Sequence, residues 1–379
     1  MGGSTGVLAA VFLAASVALS PSGAQETYKI GASLGLNGYA ANNDRAWRDG
    51  MLLAIDKINA GGGLLGRKLE LFVEDNRSEP QEAVVGYRKM LSSDKVQVFD
   101  SGCVSAGNFA AAGASARAEI PMFLCSILPD RPLERKWTFT NLSPPRFDLE
   151  ARFRYLQEKT EIRKVGLLHD PTPYANMTKS LAETMAKEFG LTVVAVESYK
   201  ADDPDLSIQI GRIKAAGGGA IIKIGLGGST VVAAKNIIQL GFDQMILFAA
   251  IDDGSIFRQS GELLGERFLF VGTSAQIPDS VPAGPQRVLL DEFLKAWRGK
   301  YGDRDPAAGA RAWDSISIIA KAAETGGSID GATMRDSLEK VSDFQGIMTK
   351  YHFSPDQHYG VTQNPFVIGV VRNGNFTVK

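Results

Sequence analysis

Residues 50–76 read GMLLAIDKINAGGGLLGRKLELFVEDN, and two periodicities meet inside them. Met51, Leu52, Ile55 and Ile58 recur at the spacing of one helix face, and Gly61-Gly62-Gly63 ends that helix. Leu69, Leu71 and Val73 then alternate with polar neighbours, the period of a half-buried strand. A helix that turns through glycines directly into a strand is the second half of a strand–helix–strand unit, so a strand should precede it. Residues 28–34, YKIGASL, supply that strand.

The same alternation extends in both directions from this unit. Helix 79–91, strand 96–99, the Ala-rich helix 106–118 and strand 121–124 continue the first series. After the Pro144-Pro145 break a second series runs through helix 147–160, strand 164–169, helix 178–189, strand 192–199, helix 206–215, strand 220–224, helix 231–240 and strand 245–250. A less regular last third adds strand 268–273, helices 286–300, 306–323 and 332–341, and short strands 348–353 and 366–371. Alternation of this kind predicts parallel sheets covered by helices on both faces. Two series separated by a proline break, in 379 residues, predict two lobes.

Composition narrows the function. With 41 basic and 42 acidic residues mixed along the chain, there is no clustered basic face for a nucleic acid and no polybasic patch for a membrane surface. Val7 to Leu19 is a short apolar run, followed by Ser22-Gly23-Ala24 before Gln25-Glu26. That pattern predicts a secretory signal over residues 1–24, although no Lys or Arg precedes the run. An exported, periplasmic chain follows. Its two cysteines, Cys103 and Cys125, each come after an apolar strand, so parallel neighbours would bring them to one sheet edge. They read either as a disulfide, in an oxidising compartment, or as two small buried apolar residues.

Nothing in the sequence points to catalysis. The three histidines, His169, His352 and His358, lack metal-ligand spacing, and neither a G-x-S-x-G elbow nor a P-loop occurs. Residues 225–230, GLGGST, half-match a dinucleotide turn but carry Thr at the sixth position. No catalytic residue, cofactor or metal is expected. Ligands of open parallel sheets sit beyond the carboxyl ends of the strands. That rule selects the loops 35–39, 102–105, 125–127, 170–174, 225–230 and 251–253. Ser105 opens a helix there, so it reads as an N-cap or as an anion site at the helix N-terminus.

The order of these pieces resembles the branched-chain amino acid binding proteins of ABC transporters, the type I periplasmic solute-binding family. IGASLGLNGYAANND, the quoted stretch, SEPQEAVVGYRKML, SGCVSAGNFAAAG, VGLLHDPTPYANMTKSLAE and AWDSISIIAKA match its landmarks in sequence, from Tyr28 to about Arg372. The resemblance implies an α/β fold of two Rossmann-like lobes joined by about three hinge crossovers. One lobe would take residues 25–141 with 274–344, the other 142–273 with 345–379. It also implies a monomer that closes on a small ligand and then signals a membrane ABC permease.

Carried over residue by residue, the family's carboxylate-gripping hydroxyl falls on Ser105. Its next strand end falls on Ser126, Ile127 and Leu128, with Leu128 where a Thr is common. One cleft tyrosine falls on Tyr174, and the place of a second on Leu226 or Gly227, which implies a roomier pocket. The family's acid for a ligand ammonium falls on Ala250 or Ile251, with Asp252 adjacent. Tyr39 and Asn43 add polar contacts, whereas Arg45 and Arg311 near the cleft are expected at the solvated surface. Without a carboxylate for an ammonium, the expected ligand is an aromatic carboxylate of the benzoate or phenylpropenoate type. If Asp252 faces the cleft, branched-chain or other amino acids lead instead. A ligand-sensing subunit for a separate receptor is a further reading.

Overall fold

Strand β1 (Tyr28–Leu34) is followed by helix α1 (Ala41–Ala60), β2 (Leu69–Asp75), α2 (Pro80–Lys89), β3 (Val98–Ser101), α3 (Ser105–Arg117), β4 (Met122–Leu124), α4 (Pro132–Trp137) and β5 (Thr138–Phe139). A computed structural model describes residues 1–3 and 27–379 of the chain. These five strands form one parallel sheet in the order β2-β1-β3-β4-β5. The apolar run Val7 to Leu19 and the cleavage site after Ala24 lie outside the described residues. No described helix is long and apolar enough to cross a membrane.

The chain then crosses to a second sheet. Helix α5 (Pro145–Lys159), β6 (Lys164–His169), α6 (Pro173–Met185), β7 (Thr192–Ser198), α7 (Ser207–Ala215), β8 (Ala220–Ile224), α8 (Ser229–Gln239), β9 (Ile246–Ala249), α9 (Gly254–Leu264) and β10 (Phe268–Gly272) follow. A second crossing leads to α10 (Pro285–Tyr301), α11 (Ala307–Gly326), α12 (Gly331–Leu338) and a hairpin of β11 (Phe344–Gln345) and β12 (Lys350–Tyr351). A third leads to β13 (Val367–Arg372) and β14 (Asn375–Val378), which pair antiparallel at the edge of the second sheet, order β14-β13-β10-β9-β8-β6-β7. Three crossings between two α/β lobes are the type I architecture. The last return comes later than residue 345, because Ile347, Met348, Tyr351, Phe353 and Val361 pack into the first lobe's core.

Strand alternation divides the first lobe's core between two faces. Ile30, Ala32, Leu34, Val98 and Phe123 point to the side covered by α1, α10, α11 and α12. Phe99, Met122 and Leu124 point to the side covered by α2 and α3. Helices α1 and α11 cross closely at two glycines. A Cβ on Gly50 would stand 2.0 Å from the Gly309 carbonyl oxygen, and one on Gly309 would stand 2.2 Å from the Trp297 ring. Beneath the cleft, Asp100 of β3 accepts from Trp47 Nε1 at 3.0 Å and from the Ser315 hydroxyl, tying α1 and α11 to the sheet. Burial pushes its carboxyl up to about 7 against those two bonds.

Two helices escape the periodicity, the six-residue α4 and the longer α9. Residues 254–264, GSIFRQSGELL, carry two glycines and two serines, which favour loops and caps, yet they form α9. Asp253 caps it by accepting from Ser255 N, and Ile256, Phe257 and Leu264 are buried. Packing overrides propensity here.

Candidate functional site

The carboxyl ends of β1, β3 and β4 face those of β6, β8 and β9 across a cleft. Asp44 of α1 organises the first side. Its buried carboxylate accepts from Gly35 N at 2.6 Å and from Cys103 N at 2.7 Å, fixing the loops after β1 and β3 together. Burial pushes this carboxyl up to about 6, and the two backbone bonds oppose the shift. The sulfurs of Cys103 and Cys125 are bonded, with Cα atoms 4.6 Å apart, which joins the ends of β3 and β4. Ser105 begins α3 with its side chain buried at this edge.

On the second side, α5 opens on Pro145 and places Asp148 in its first turn. Asp148 forms an ion pair with Arg152 one turn later, and both are buried. Arg152 Nη1 also donates to the Lys223 carbonyl at 2.9 Å. Burial pushes Asp148 up and the Arg152 guanidinium pulls it back. Asp170 accepts from Thr172 N at 2.9 Å and from Thr172 Oγ1 at 2.5 Å. Lys223 is fully buried and donates to the Gly225 carbonyl at 2.8 Å. Burial pulls its ammonium down to about 8, against the attraction of Asp252 and Asp170.

Between the two sides lies a cavity of about 90 Å³. Drug-sized pockets run to about 300–1,000 Å³, so this one suits a small metabolite. Tyr39, Asn43, Ser105, Ser126, Tyr174 and Leu226 all reach it, as do both cysteines. Leu128 does not: it packs in the α2–α3 core, and its N–H donates to Tyr359 Oη at 3.0 Å. Ile127 is buried off the wall, its carbonyl accepting from Ser126 Oγ at 2.8 Å.

Asp252 is a latch rather than a wall. Its carboxylate accepts from Asn43 Nδ2 at 2.9 Å across the cleft, from Gly227 N at 2.6 Å and from Asp253 N at 2.8 Å. Ile251 faces the cavity in its place. Gly227, at φ +81°, is drawn so close that a Cβ would stand 3.0 Å from the Tyr39 carbonyl oxygen. Leu226 lines the cavity, and the Leu226-Gly227 turn closes against the Tyr39 backbone.

Two charged groups on the cavity wall, Asp148 and Arg311, were not expected there, whereas Asp170 comes from a loop that the sequence placed at the cleft. Asp148 and Asp170 line it, so anionic groups are present after all. Arg311 lines it from α11 and is only 8% exposed, which corrects its placement at the solvated surface. Arg45 does lie at the surface, with Nε on the Leu36 carbonyl at 2.8 Å. Among the described residues, no group of three His, Cys, Asp or Glu is placed to hold a metal.

With this geometry the comparisons with known proteins agree. The periplasmic binding protein family model matches residues 27–375. The chain belongs to the type I periplasmic binding proteins. This is a family of ligand binders and not of enzymes. Its relatives include a Leu/Ile/Val-binding protein homolog of Brucella abortus, 23% identical over 322 residues, covering 82% of this chain and 80% of the relative. The leucine-, isoleucine-, valine-, threonine- and alanine-binding protein of Pseudomonas aeruginosa is 22% identical over 376 residues, covering 98% and 95%. Among solved structures, an extracellular ligand-binding receptor from Rhodopseudomonas palustris superposes with a TM-score of 0.83 at 22% identity, covering 94% of this chain and 100% of that one. A branched-chain amino acid transporter substrate-binding protein from Streptococcus pneumoniae, in complex with isoleucine, gives 0.78 at 24%, covering 93% and 98%. None of the relatives named here is described as binding an aromatic acid. This periplasmic binding protein shares their fold at a sequence distance where ligand identity does not transfer.

Proposed function

We propose that this chain is the extracytoplasmic substrate-binding component of an ABC transporter, and that its two lobes close on a small carboxylate of amino-acid type. The observation that carries the reading is the mixed charge of one small interlobe cavity. Ser105 at the N-terminus of α3 presents donors suited to a carboxylate, and Asp170 on the opposite wall suits an ammonium. The names of the relatives support the amino-acid reading over the aromatic one. Export to the periplasm and docking on a membrane permease belong to the same proposal.

A thermal-shift screen of the mature chain tests it, using amino acids, aliphatic acids and aromatic acids, each paired with its amide. At about 100 times its dissociation constant a ligand adds about 2.7 kcal/mol. The expected result is a rise of several degrees for at least one amino acid and no rise for its amide. A response confined to aromatic acids would replace amino acids as the ligand class. Indifference to every carboxylate would remove the carboxylate reading.

A further inference from the structure

We propose that the solute carries two anionic heads, one held at the Ser105 turn and the other by Arg311. This rests on the reading that the interlobe cavity is the solute site. Arg311 projects from the second turn of α11 and is more than nine-tenths buried. Its backbone carbonyl accepts from Asn141 Nδ2 at 2.7 Å, which fixes the start of the side chain. A guanidinium has five N–H donors. Nη2 is enclosed with no hydrogen-bond partner among the described residues.

The other buried cations of the cleft are treated differently. Arg152 has Asp148 and the Lys223 carbonyl, and Lys223 has the Gly225 carbonyl with Asp252 and Asp170 nearby. Among the described residues Arg311 is the buried cation on this wall that has no ion pair or hydrogen bond to its guanidinium, with Asp305 attracting it only from a distance, and a buried charge without a direct partner is unfavourable unless something external meets it. An anion entering the cavity does so.

The two donors approach from opposite sides. Helix α3 covers one face of the first sheet, with α2, and α11 covers the other, with α1 and α12. Ser105 and Arg311 therefore flank the sheet edge that floors the cavity. A solute with one carboxylate satisfies one of them. A short skeleton with a carboxylate at each end satisfies both, and its middle lies beside Tyr39, Tyr174 and the disulfide. The ligand class is a two-headed acid, either an acidic amino acid or a plain short dicarboxylic acid. In the first case Asp170 meets the ammonium.

Calorimetric titration of the full mature chain, wild type and Arg311→Met, with glutamate, aspartate, glutarate, succinate and leucine tests this. Wild type is expected to bind at least one two-headed acid about 30-fold or more tighter than leucine, and Arg311→Met to lose that acid by a similar factor. Ligand-free Arg311→Met should melt no lower than wild type, because an unpaired buried cation has gone; a purely structural arginine would not behave so. Binding by either pair of acids supports the proposal, and the pair that binds reports whether an amino group is read. If Arg311→Met does not fold, the selectivity of the wild type decides. Tight binding of leucine with indifference to all four two-headed acids overturns the second head while leaving the amino-acid reading intact. No binding by any of the five overturns the second head, and the wider thermal-shift screen then decides the amino-acid reading.

Discussion

Asp148→Ala is expected to destabilise the protein by about 3–5 kcal/mol, the range for removing one partner of a buried ion pair. Arg152 has no exposed side-chain surface, and its remaining bond is to the Lys223 carbonyl, which carries no charge to balance it. Against a total stability of about 5–15 kcal/mol this is a large fraction. Urea denaturation of the two proteins at neutral pH reads it. Replacing both residues, Asp148→Leu with Arg152→Met, should recover most of the loss, since a pair exchanged for apolar groups of similar size is often neutral. A single substitution costing less than about 0.5 kcal/mol would place the pair in solvent rather than in the wall of the cleft.

Opening the Cys103–Cys125 disulfide is the other large expected effect. The bond closes a loop with a sequence separation of 22, and the chain-entropy relation assigns such a loop about 3 kcal/mol. The loop contains the whole of α3, so the bond also fixes where Ser105 sits relative to the end of β4. Cys103→Ala with Cys125→Ala should lower the urea midpoint, and a reductant should do to the wild type what the substitutions do. A midpoint unmoved by either, with two free thiols by mass spectrometry of protein prepared under oxidising conditions, contradicts the bridge.

Both effects concern residues whose types were visible in the sequence and whose surroundings were not. The fold was legible because strand and helix periods alternate cleanly from Tyr28 to Ala250, and each period says which residues turn inward. Helix α9 was not, because its glycines and serines mask a buried stripe of Ile256, Phe257 and Leu264. The hairpin around Ile347 was misplaced for a related reason. Short apolar stretches reveal burial but not the lobe that buries them.

In the site, Ser105 and Tyr174 could be found because they follow strand ends in a motif with fixed order. Asp148 and Arg311 sit inside helices, where an isolated charge ordinarily faces water. Only the meeting of two lobes turns those helix faces into a cavity wall. Asp252 and Ile251 show how fine the distinction is: one residue lines the cavity, and its neighbour turns away to hold Asn43 and Gly227. A register difference of one residue exchanges the two roles.

The cavity between the lobes is tested most directly by a crystal structure of the mature chain with the tightest-binding solute from the titrations. The expected result is a solute enclosed by both lobes, one carboxylate at the Ser105 turn, with the Asn43–Asp252 bond retained across the cleft. A solute seated elsewhere, or touching a single lobe while the cleft stands open, would contradict the assignment of this cavity as the binding site.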